Sequence, residues 1–171
     1  MMQLIRAVLD RWALWALGAS ALMLAAAHAF ETFGGYAPCT LCLRQREVYW
    51  VAGTIALVSI LVTKLPRGLR WRWLFDLALA LTFAVGVAVA TWHAGAEWKW
   101  WPGPSTCAST GAGVSADAMA DLLGGAKIHP PACDEAAWRF LGLSMAGWNV
   151  LISLKLVAYS VMAIFHDRRR P

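Results

Sequence analysis

The chain has 171 residues and a net charge of +5; 60% of its residues are apolar and only 15% are charged. A typical soluble domain is about 45–50% apolar and about 25% charged, so this composition excludes an ordinary soluble protein. The eleven tryptophans indicate a membrane protein, since indole rings settle at the membrane–water interface. The basic residues flank apolar segments, which indicates a role in membrane topology and argues against nucleic-acid binding.

Four apolar segments are each long enough to cross the bilayer as a helix, which takes about 20 residues. They cover residues 12–30, 41–62, 74–92 and 148–165. Because backbone groups cannot stay unpaired in lipid, four spanning helices are expected to pack as a bundle. The sequence therefore predicts an all-α membrane protein, with a single integral domain over 1–171 built as a four-transmembrane-helix bundle.

The first apolar segment also resembles a cleavable signal peptide. Arg6 and Arg11 precede it, and Ala27-His28-Ala29 resembles a cleavage site. The run is longer than the usual apolar core of about 7–15 residues, and its removal would leave an odd number of spans. We therefore expect the segment to remain as the first spanning helix.

Lysine and arginine are distributed unevenly between the two ends of these helices. One side has Arg6, Arg11, Lys64, Arg67, Arg70, Arg72, Arg168, Arg169 and Arg170. The other side has fewer, namely Arg44, Arg46, Lys99, Lys127 and Arg139. Because cytoplasmic connections are enriched in Lys and Arg, both termini are predicted to be cytoplasmic, and the connections at about 31–40 and 93–147 are predicted to face outward.

Within the long outward connection, residues 115–123 are predicted to form a short amphipathic helix. Ser115 is a suitable N-cap, and Met119, Leu122 and Leu123 share one face. Such a helix can lie on the membrane surface or pack against the bundle, and the sequence favours neither arrangement.

All four cysteines fall on the outward side. An oxidising environment there would favour disulfides. Cys39 and Cys42 are separated by only two residues, so a bridge between them would stabilise the fold little, and this spacing is typical of redox-active pairs. Cys107 and Cys133 lie farther apart in the long connection and suit either a structural bridge or a second redox pair.

The position of Cys42 favours reactivity. It lies in the first turn of the second spanning helix, where free backbone N–H groups stabilise a thiolate, and Arg44 and Arg46 add positive charge. The two arginines could equally anchor the helix to lipid headgroups. Residue 43 is Leu rather than His, which excludes a c-type haem site, and without a second short Cys/His motif we expect no metal site.

The run CTLCLRQR at residues 39–46 resembles the second-helix motif of the disulfide bond formation protein B (DsbB) family. Three further segments match in the same order: His93 after the third span, WPGP at 101–104 before Cys107, and CD at 133–134 followed by WRFLGLSM at 138–145. Together with the four spans, the resemblance covers nearly the whole chain.

This resemblance implies a quinone-dependent protein-dithiol oxidase of the bacterial inner membrane, with both termini cytoplasmic and the cysteines periplasmic. Members of the family reoxidise DsbA, a periplasmic thioredoxin-like protein, and pass the electrons to membrane quinone, either ubiquinone or menaquinone. A soluble protein partner and a lipid-soluble acceptor require two cysteine pairs, because each pair must reach a different reactant.

The resemblance also implies an order of events for the four cysteines. The thiolate of DsbA attacks Cys107 and frees Cys133. Cys133 then attacks Cys39, and Cys42 is released as a thiolate beside the quinone.

Two more residues match family positions next to the quinone, Arg46 and His93. Arg46 would stabilise the Cys42 thiolate and the reduced ring. Glu97 follows His93 by four residues and shares its face if the segment is helical, so it could orient the imidazole, take up a proton or simply be solvated. Lys155, inside the fourth span, has no role that the resemblance implies.

Two alternatives remain open. One is a non-enzymatic membrane protein whose four cysteines form two structural periplasmic disulfides. The other is an enzyme of the vitamin K epoxide reductase type, which is also a four-helix, quinone-linked thiol enzyme. In that family the short cysteine pair opens the last core helix, whereas here it opens the second.

Overall fold

The computed structural model describes residues 2–104, 133–134 and 136–168, and it confirms an all-α membrane fold. The elements are α1 (Met2–Asp10), α2 (Trp12–Thr32), α3 (Thr40–Thr63), α4 (Arg72–Glu97), β1 (Arg139–Phe140), β2 (Leu143–Ser144) and α5 (Met145–Arg168), with a 3-10 turn at Gly68–Trp71 before α4. Helices α2 to α5 are long and apolar enough to cross a membrane. Cys107 and the amphipathic helix expected at 115–123 lie outside the described residues.

Helix α4 continues to Glu97, past the predicted end of the third span at residue 92, so both His93 and Glu97 are helical. The three residues between them, Ala94, Gly95 and Ala96, are small and buried. This turn therefore packs inside the bundle and does not enter the outward connection. The sequence predicts that these residues belong to the connection, but His93 pairs with Gln45 of α3 and Glu97 with Ser144 of β2.

The spanning helices pack in chain order, with α3 between α2 and α4, and α4 against α5. Contacts between α2 and α5 are sparse, so the bundle is least closed between its first and last spanning helices. Small residues allow helices to approach closely in a membrane. At Gly86 of α4, a Cβ would lie 3.1 Å from Cγ1 of Val48 and 3.4 Å from Oγ of Ser153.

A buried ion pair joins α1, α4 and α5 at the end of the bundle opposite the cysteines. Nε of Arg72 lies 3.0 Å from Oδ2 of Asp167, and the same guanidinium donates to the backbone oxygen of Leu9 at 2.5 Å. Asp76, one turn farther along α4, is fully buried. Arg72 therefore packs within the bundle, and helix α1, which the sequence analysis did not predict, is attached to it through Leu9.

A short hairpin leads directly into α5. Strands β1 and β2 pair antiparallel, and the two turn residues, Leu141 and Gly142, have φ angles of 51° and 81°. Positive φ at both central residues is the feature of a type I′ turn, which matches the twist of the flanking strands. The sequence analysis treated this segment as an irregular connection. The hairpin places Phe140 and Ser144 beside the outward ends of the helices.

Candidate active site

The Cys39–Cys42 pair lies at the start of α3. Cys39 is the N-cap residue, and its sulfur accepts the backbone N–H of Cys42 at 3.3 Å. The two sulfurs are 3.0 Å apart and both residues are free thiols. The structure therefore describes the reduced pair, with its sulfurs in contact at the positive end of the helix dipole.

His93, near the C-terminal end of α4, faces this pair. Its Nε2 lies 3.7 Å from the Cys39 sulfur, and the two residues are only 5% and 6% exposed. A hydrogen bond with the Cys42 thiol lowers the pKa of Cys39 to about 4; burial opposes this shift and the contact with His93 reinforces it. The stabilised thiolate on Cys42 that the sequence predicts stays a prediction.

Three buried polar residues complete the surroundings of His93. Nε2 of Gln45 lies 2.9 Å from Nδ1 of His93, and Oε1 of Glu97 lies 3.7 Å from its Nε2. The Ser144 hydroxyl donates to the Glu97 carboxylate. The sequence analysis did not single out Gln45 or Ser144. Gln45 could have been found, since it lies one helical turn after Cys42 and shares its face.

The two arginines after the cysteines have different environments. The Arg46 guanidinium lies 2.5 Å from Glu31 and donates to the backbone oxygen of Ala27 at 3.1 Å. Arg44 is exposed and pairs with Glu47 at 2.8 Å. Only Arg46 lines the cavity beside Cys42, so only this arginine can act on a molecule bound there.

A cavity of about 390 Å³ lies beside the pair, between α2, α3, α5 and the hairpin. Its apolar walls include Met23, Phe30, Trp148 and Ile152. Its polar groups include Cys42, Gln45, Arg46, His93 and Asn149. An apolar cavity with a few polar groups near a redox pair is the usual form of a site for a small, largely apolar molecule.

Aromatic side chains of the hairpin cover the outward end of this cavity. The ring centroids of Phe30 and Trp138 are 5.1 Å apart, and Trp138 stacks on Phe140 at 5.8 Å. Nε1 of Trp148 donates to the backbone oxygen of Phe140 at 3.0 Å. The hairpin segment is therefore fixed to both α2 and α5, and Trp138 and Phe140 line the cavity.

A family model described as "Disulfide bond formation protein DsbB" matches residues 10–163. The chain belongs to the DsbB family. A "Disulfide bond formation protein B" of Dechloromonas aromatica is 30% identical over 154 residues, covering 86% of this chain and 87% of the relative. Proteins with the same name are 33% identical in Marinobacter nauticus, covering 86% and 85%, and 34% identical in Aromatoleum aromaticum, covering 78% and 79%.

Membership of the DsbB family, together with the four apolar helices, makes this chain a membrane protein of disulfide bond formation. The family's name implies disulfide oxidoreductase activity. The Cys39–Cys42 pair at the start of the second spanning helix lies within the matched residues.

The second cysteine pair expected from the DsbB motif is described only in part. Cys133 is 1% exposed and disulfide-bonded, whereas Cys107 lies outside the described residues. Nζ of Lys99 lies 2.6 Å from Oδ2 of Asp134, and this contact lowers the pKa of Asp134. The ion pair places the residue after Cys133 next to the outward end of α4, the helix that carries His93.

Cys39, Cys42 and His93 also have ligand-type atoms within 4.8 Å of one another, the one such group among the described residues. Two sulfurs and an imidazole nitrogen are donors that zinc accepts. Coordination would require the lone pair of His93 Nε2 to be free and directed at the sulfurs. The hydrogen bonds around the imidazole ring therefore decide whether these three groups can hold a metal.

Proposed function

We propose that this chain is a quinone-dependent protein-dithiol oxidase that reoxidises a periplasmic, thioredoxin-like protein of the DsbA type. The proposal depends on one observation, the position of the reduced pair at the apolar cavity. Cys42 forms part of the cavity wall, and Cys39 is buried behind it. A dithiol at the wall of an apolar cavity suits electron transfer to a lipid-soluble acceptor better than it suits a structural bridge.

The cavity has the properties that a quinone head group requires. Its walls are mostly apolar, Arg46 provides N–H groups that can donate to carbonyl oxygens, and His93 also lines the cavity. The cavity lies between α2 and α5, where the bundle is least closed, so an isoprenoid tail would have a short path to lipid. When bound, ubiquinone or menaquinone supplies an acceptor for two electrons and two protons.

The four cysteines would exchange disulfides in sequence. A thiolate of the DsbA-type partner attacks Cys107, the Cys107–Cys133 bond breaks, and Cys133 leaves as a thiolate. Cys133 attacks Cys39, the Cys39–Cys42 bond breaks, and Cys42 leaves as a thiolate at the cavity wall. The partner's second thiol then resolves the mixed disulfide and releases Cys107 as a thiolate. Cys107 attacks Cys133, which re-forms the Cys107–Cys133 bond and frees Cys39, so that the partner gains a disulfide and the Cys39–Cys42 dithiol holds the two electrons.

Arg46 and His93 would act on the two sulfurs of the inner pair. Arg46 is held by Glu31 at the cavity wall, where its charge stabilises a thiolate on Cys42 and negative charge on a bound ring. His93 contacts the Cys39 sulfur at 3.7 Å and stabilises negative charge there. Each thiolate would thus have its own partner.

We also propose that the protein lies in the bacterial inner membrane with both termini cytoplasmic and the cysteines periplasmic. Most of the basic residues lie next to the ends of the spanning helices farthest from the Cys39–Cys42 pair, among them Arg6, Arg11, Lys64 and Arg67. Cytoplasmic connections carry this excess of Lys and Arg.

The test uses purified protein, a reduced DsbA-type protein and a soluble quinone analogue, with quinone absorbance and partner thiols followed together. We expect one quinone to be reduced for each partner disulfide formed. Cys42→Ser should reduce the rate to background, because the inner pair can then no longer form its disulfide. Thr40→Ser, a conservative change in the same helical turn, should keep the wild-type rate.

Thiol trapping in cells depleted of quinone distinguishes this proposal from a protein with two structural disulfides. A redox pair should accumulate as free thiols at Cys39 and Cys42, since its electrons have no acceptor. If both pairs stay oxidised in such cells, the proposal is wrong and the bridges are structural.

A further inference from the structure

A chain of buried side chains leads from the middle of the bundle to His93. Nε2 of Gln45 lies 2.9 Å from Nδ1 of His93, and Oε1 of Gln45 accepts from Nδ2 of Asn149 at 2.5 Å. The Tyr49 hydroxyl donates to Oδ1 of Asn149 and lies 3.1 Å from the hydroxyl of Ser153. All five residues are buried, so each hydrogen bond must be satisfied within the protein.

The direction of these hydrogen bonds determines where the imidazole carries its hydrogen. Asn149 accepts the Tyr49 hydroxyl with its oxygen, so its amide nitrogen faces Gln45. Gln45 accepts that N–H with its own oxygen, and its amide nitrogen therefore faces His93. An amide nitrogen only donates, so Nδ1 of His93 is the acceptor and the hydrogen of the neutral ring lies on Nε2.

Nε2 is the ring nitrogen that faces the Cys39–Cys42 pair. It lies 3.7 Å from the Cys39 sulfur and 3.7 Å from a carboxylate oxygen of Glu97. An N–H at this position points a donor at both of these acceptors.

We infer that Gln45 is a positioning residue that fixes His93 as the neutral Nε2–H tautomer, so that His93 donates a hydrogen bond to the Cys39 sulfur of the reduced pair. The importance of this hydrogen bond for the reaction rests on the proposed function. With its hydrogen on Nε2, His93 has no lone pair for a metal between the two sulfurs.

The substitution Gln45→Glu tests the inference with almost no change in shape. A carboxylate accepts from both sides, so it keeps the hydrogen bond from Asn149 but can no longer donate to Nδ1 of His93. We expect the tautomer to invert, with the hydrogen moving to Nδ1. Gln45→Met removes both amide groups at similar length, and with it we expect a mixture of the two tautomers.

The measurement is nitrogen NMR of ¹⁵N-histidine in the full-length, reduced protein, without quinone or partner. The chain has four histidines, and the His93 signals are assigned by their loss in His93→Asn. In the wild type we expect Nδ1 to resonate as an unprotonated ring nitrogen and Nε2 as a protonated one. In Gln45→Glu the Nδ1 signal should move to the protonated range. Glu97→Gln changes the group beside Nε2, on the opposite edge of the ring, and should leave Nδ1 unprotonated.

Two outcomes would overturn the inference: a protonated Nδ1 in the wild type, or an Nδ1 signal that moves in neither Gln45 variant. The Gln45→Met variant introduces no charge, so it gives an answer even if Gln45→Glu does not fold. The NMR result does not depend on quinone reduction. An enzyme that is inactive with quinone but shows the expected tautomer would refute the proposed function and leave this inference standing.

Discussion

Two arginines lie two positions apart on α3, and their partners decide which one can serve the active site. Arg46 is held at the cavity wall by Glu31 at 2.5 Å, while Arg44 is exposed. A hydrogen bond to a charged group contributes about 1.5–3 kcal/mol, which is roughly 10- to 100-fold in binding. We therefore expect Arg46→Ala to raise the KM for a quinone analogue about tenfold or more, measured by quinone absorbance.

Arg44→Ala provides the matched control, because it removes the same charge from the same helix without touching the cavity. Its KM for quinone should stay within about twofold of the wild type, since an exposed ion pair contributes little. The KM for the DsbA-type partner should be unchanged in both variants. If Arg46→Ala raises the KM for quinone and the KM for the partner equally, Arg46 stabilises the fold and does not bind quinone.

The reactivity of the reduced pair should depend on pH through Cys39. Its pKa is lowered to about 4 by the Cys42 thiol and by His93, and the thiolate is the deprotonated form, so it predominates above that pH. The alkylation rate of Cys39, divided by the total concentration of that thiol, should therefore stay high at mildly acidic pH. The rate should decline only as the pH falls through about 4. The measurement is the alkylation rate by mass spectrometry over a pH series.

His93→Ala should move this midpoint to higher pH, because one of the contacts that lower the Cys39 pKa is lost. A Thr91→Ala variant, with an exposed side chain half a turn earlier on α4, should leave the midpoint in place. A midpoint near the ordinary value of a thiol in the wild type would contradict the low pKa of Cys39.

At the level of elements, α5 contains a lysine that does not pack inside the bundle. Lys155 is exposed on the outer face and forms no ion pair with the residues that the structure describes. Ten residues after Met145 correspond to about 15 Å of helix, near the middle of the bilayer. A lysine there costs roughly 2.5–3.5 kcal/mol on insertion scales, although its side chain can reach towards the headgroups.

We therefore expect Lys155→Leu to increase the free energy of unfolding by about 1–3 kcal/mol, measured by thermal unfolding in lipid nanodiscs. Lys64→Leu is the control, since Lys64 lies just after α3 at the membrane surface and its removal should change stability by less than about 0.5 kcal/mol. A loss of stability in Lys155→Leu would mean that the lysine faces a partner and not lipid.

The whole molecule has two ends with different tasks. One end holds the thiols, the cavity and the hairpin; the other is closed by Arg72, Asp167 and the backbone of Leu9. If the chain accepts electrons from a periplasmic partner, as proposed, its thiol end must face the periplasm. The distribution of basic residues favours this orientation.

Single cysteines in a background with all four native cysteines replaced by serine can test this orientation. Phe33→Cys, exposed after α2, should react with a membrane-impermeant thiol reagent in intact spheroplasts. Leu65→Cys, exposed at the other end of α3, should react only after the membrane is permeabilised. The reverse pattern would contradict cytoplasmic termini.

The fold class and the family could be predicted from the sequence. Long apolar runs can satisfy their backbone only as helices in a membrane, and the four matching segments, in the right order along the chain, indicate the DsbB family. The expected site residues Cys39, Cys42, Arg46 and His93 lie together around one end of the bundle. The roles assigned to them remain predictions.

The contacts between distant residues followed from the packing of the helices. The extension of α4 through Glu97 and the contact of Gln45 with His93 depend on residues far apart in the chain. A polar residue near a helix end has the same local pattern whether it is solvated or paired, and packing against another helix decides between the two. For this reason the sequence could identify the Cys39–Cys42 pair as a candidate site, whereas the contact of His93 with the Cys39 sulfur followed from the packing of α3 against α4.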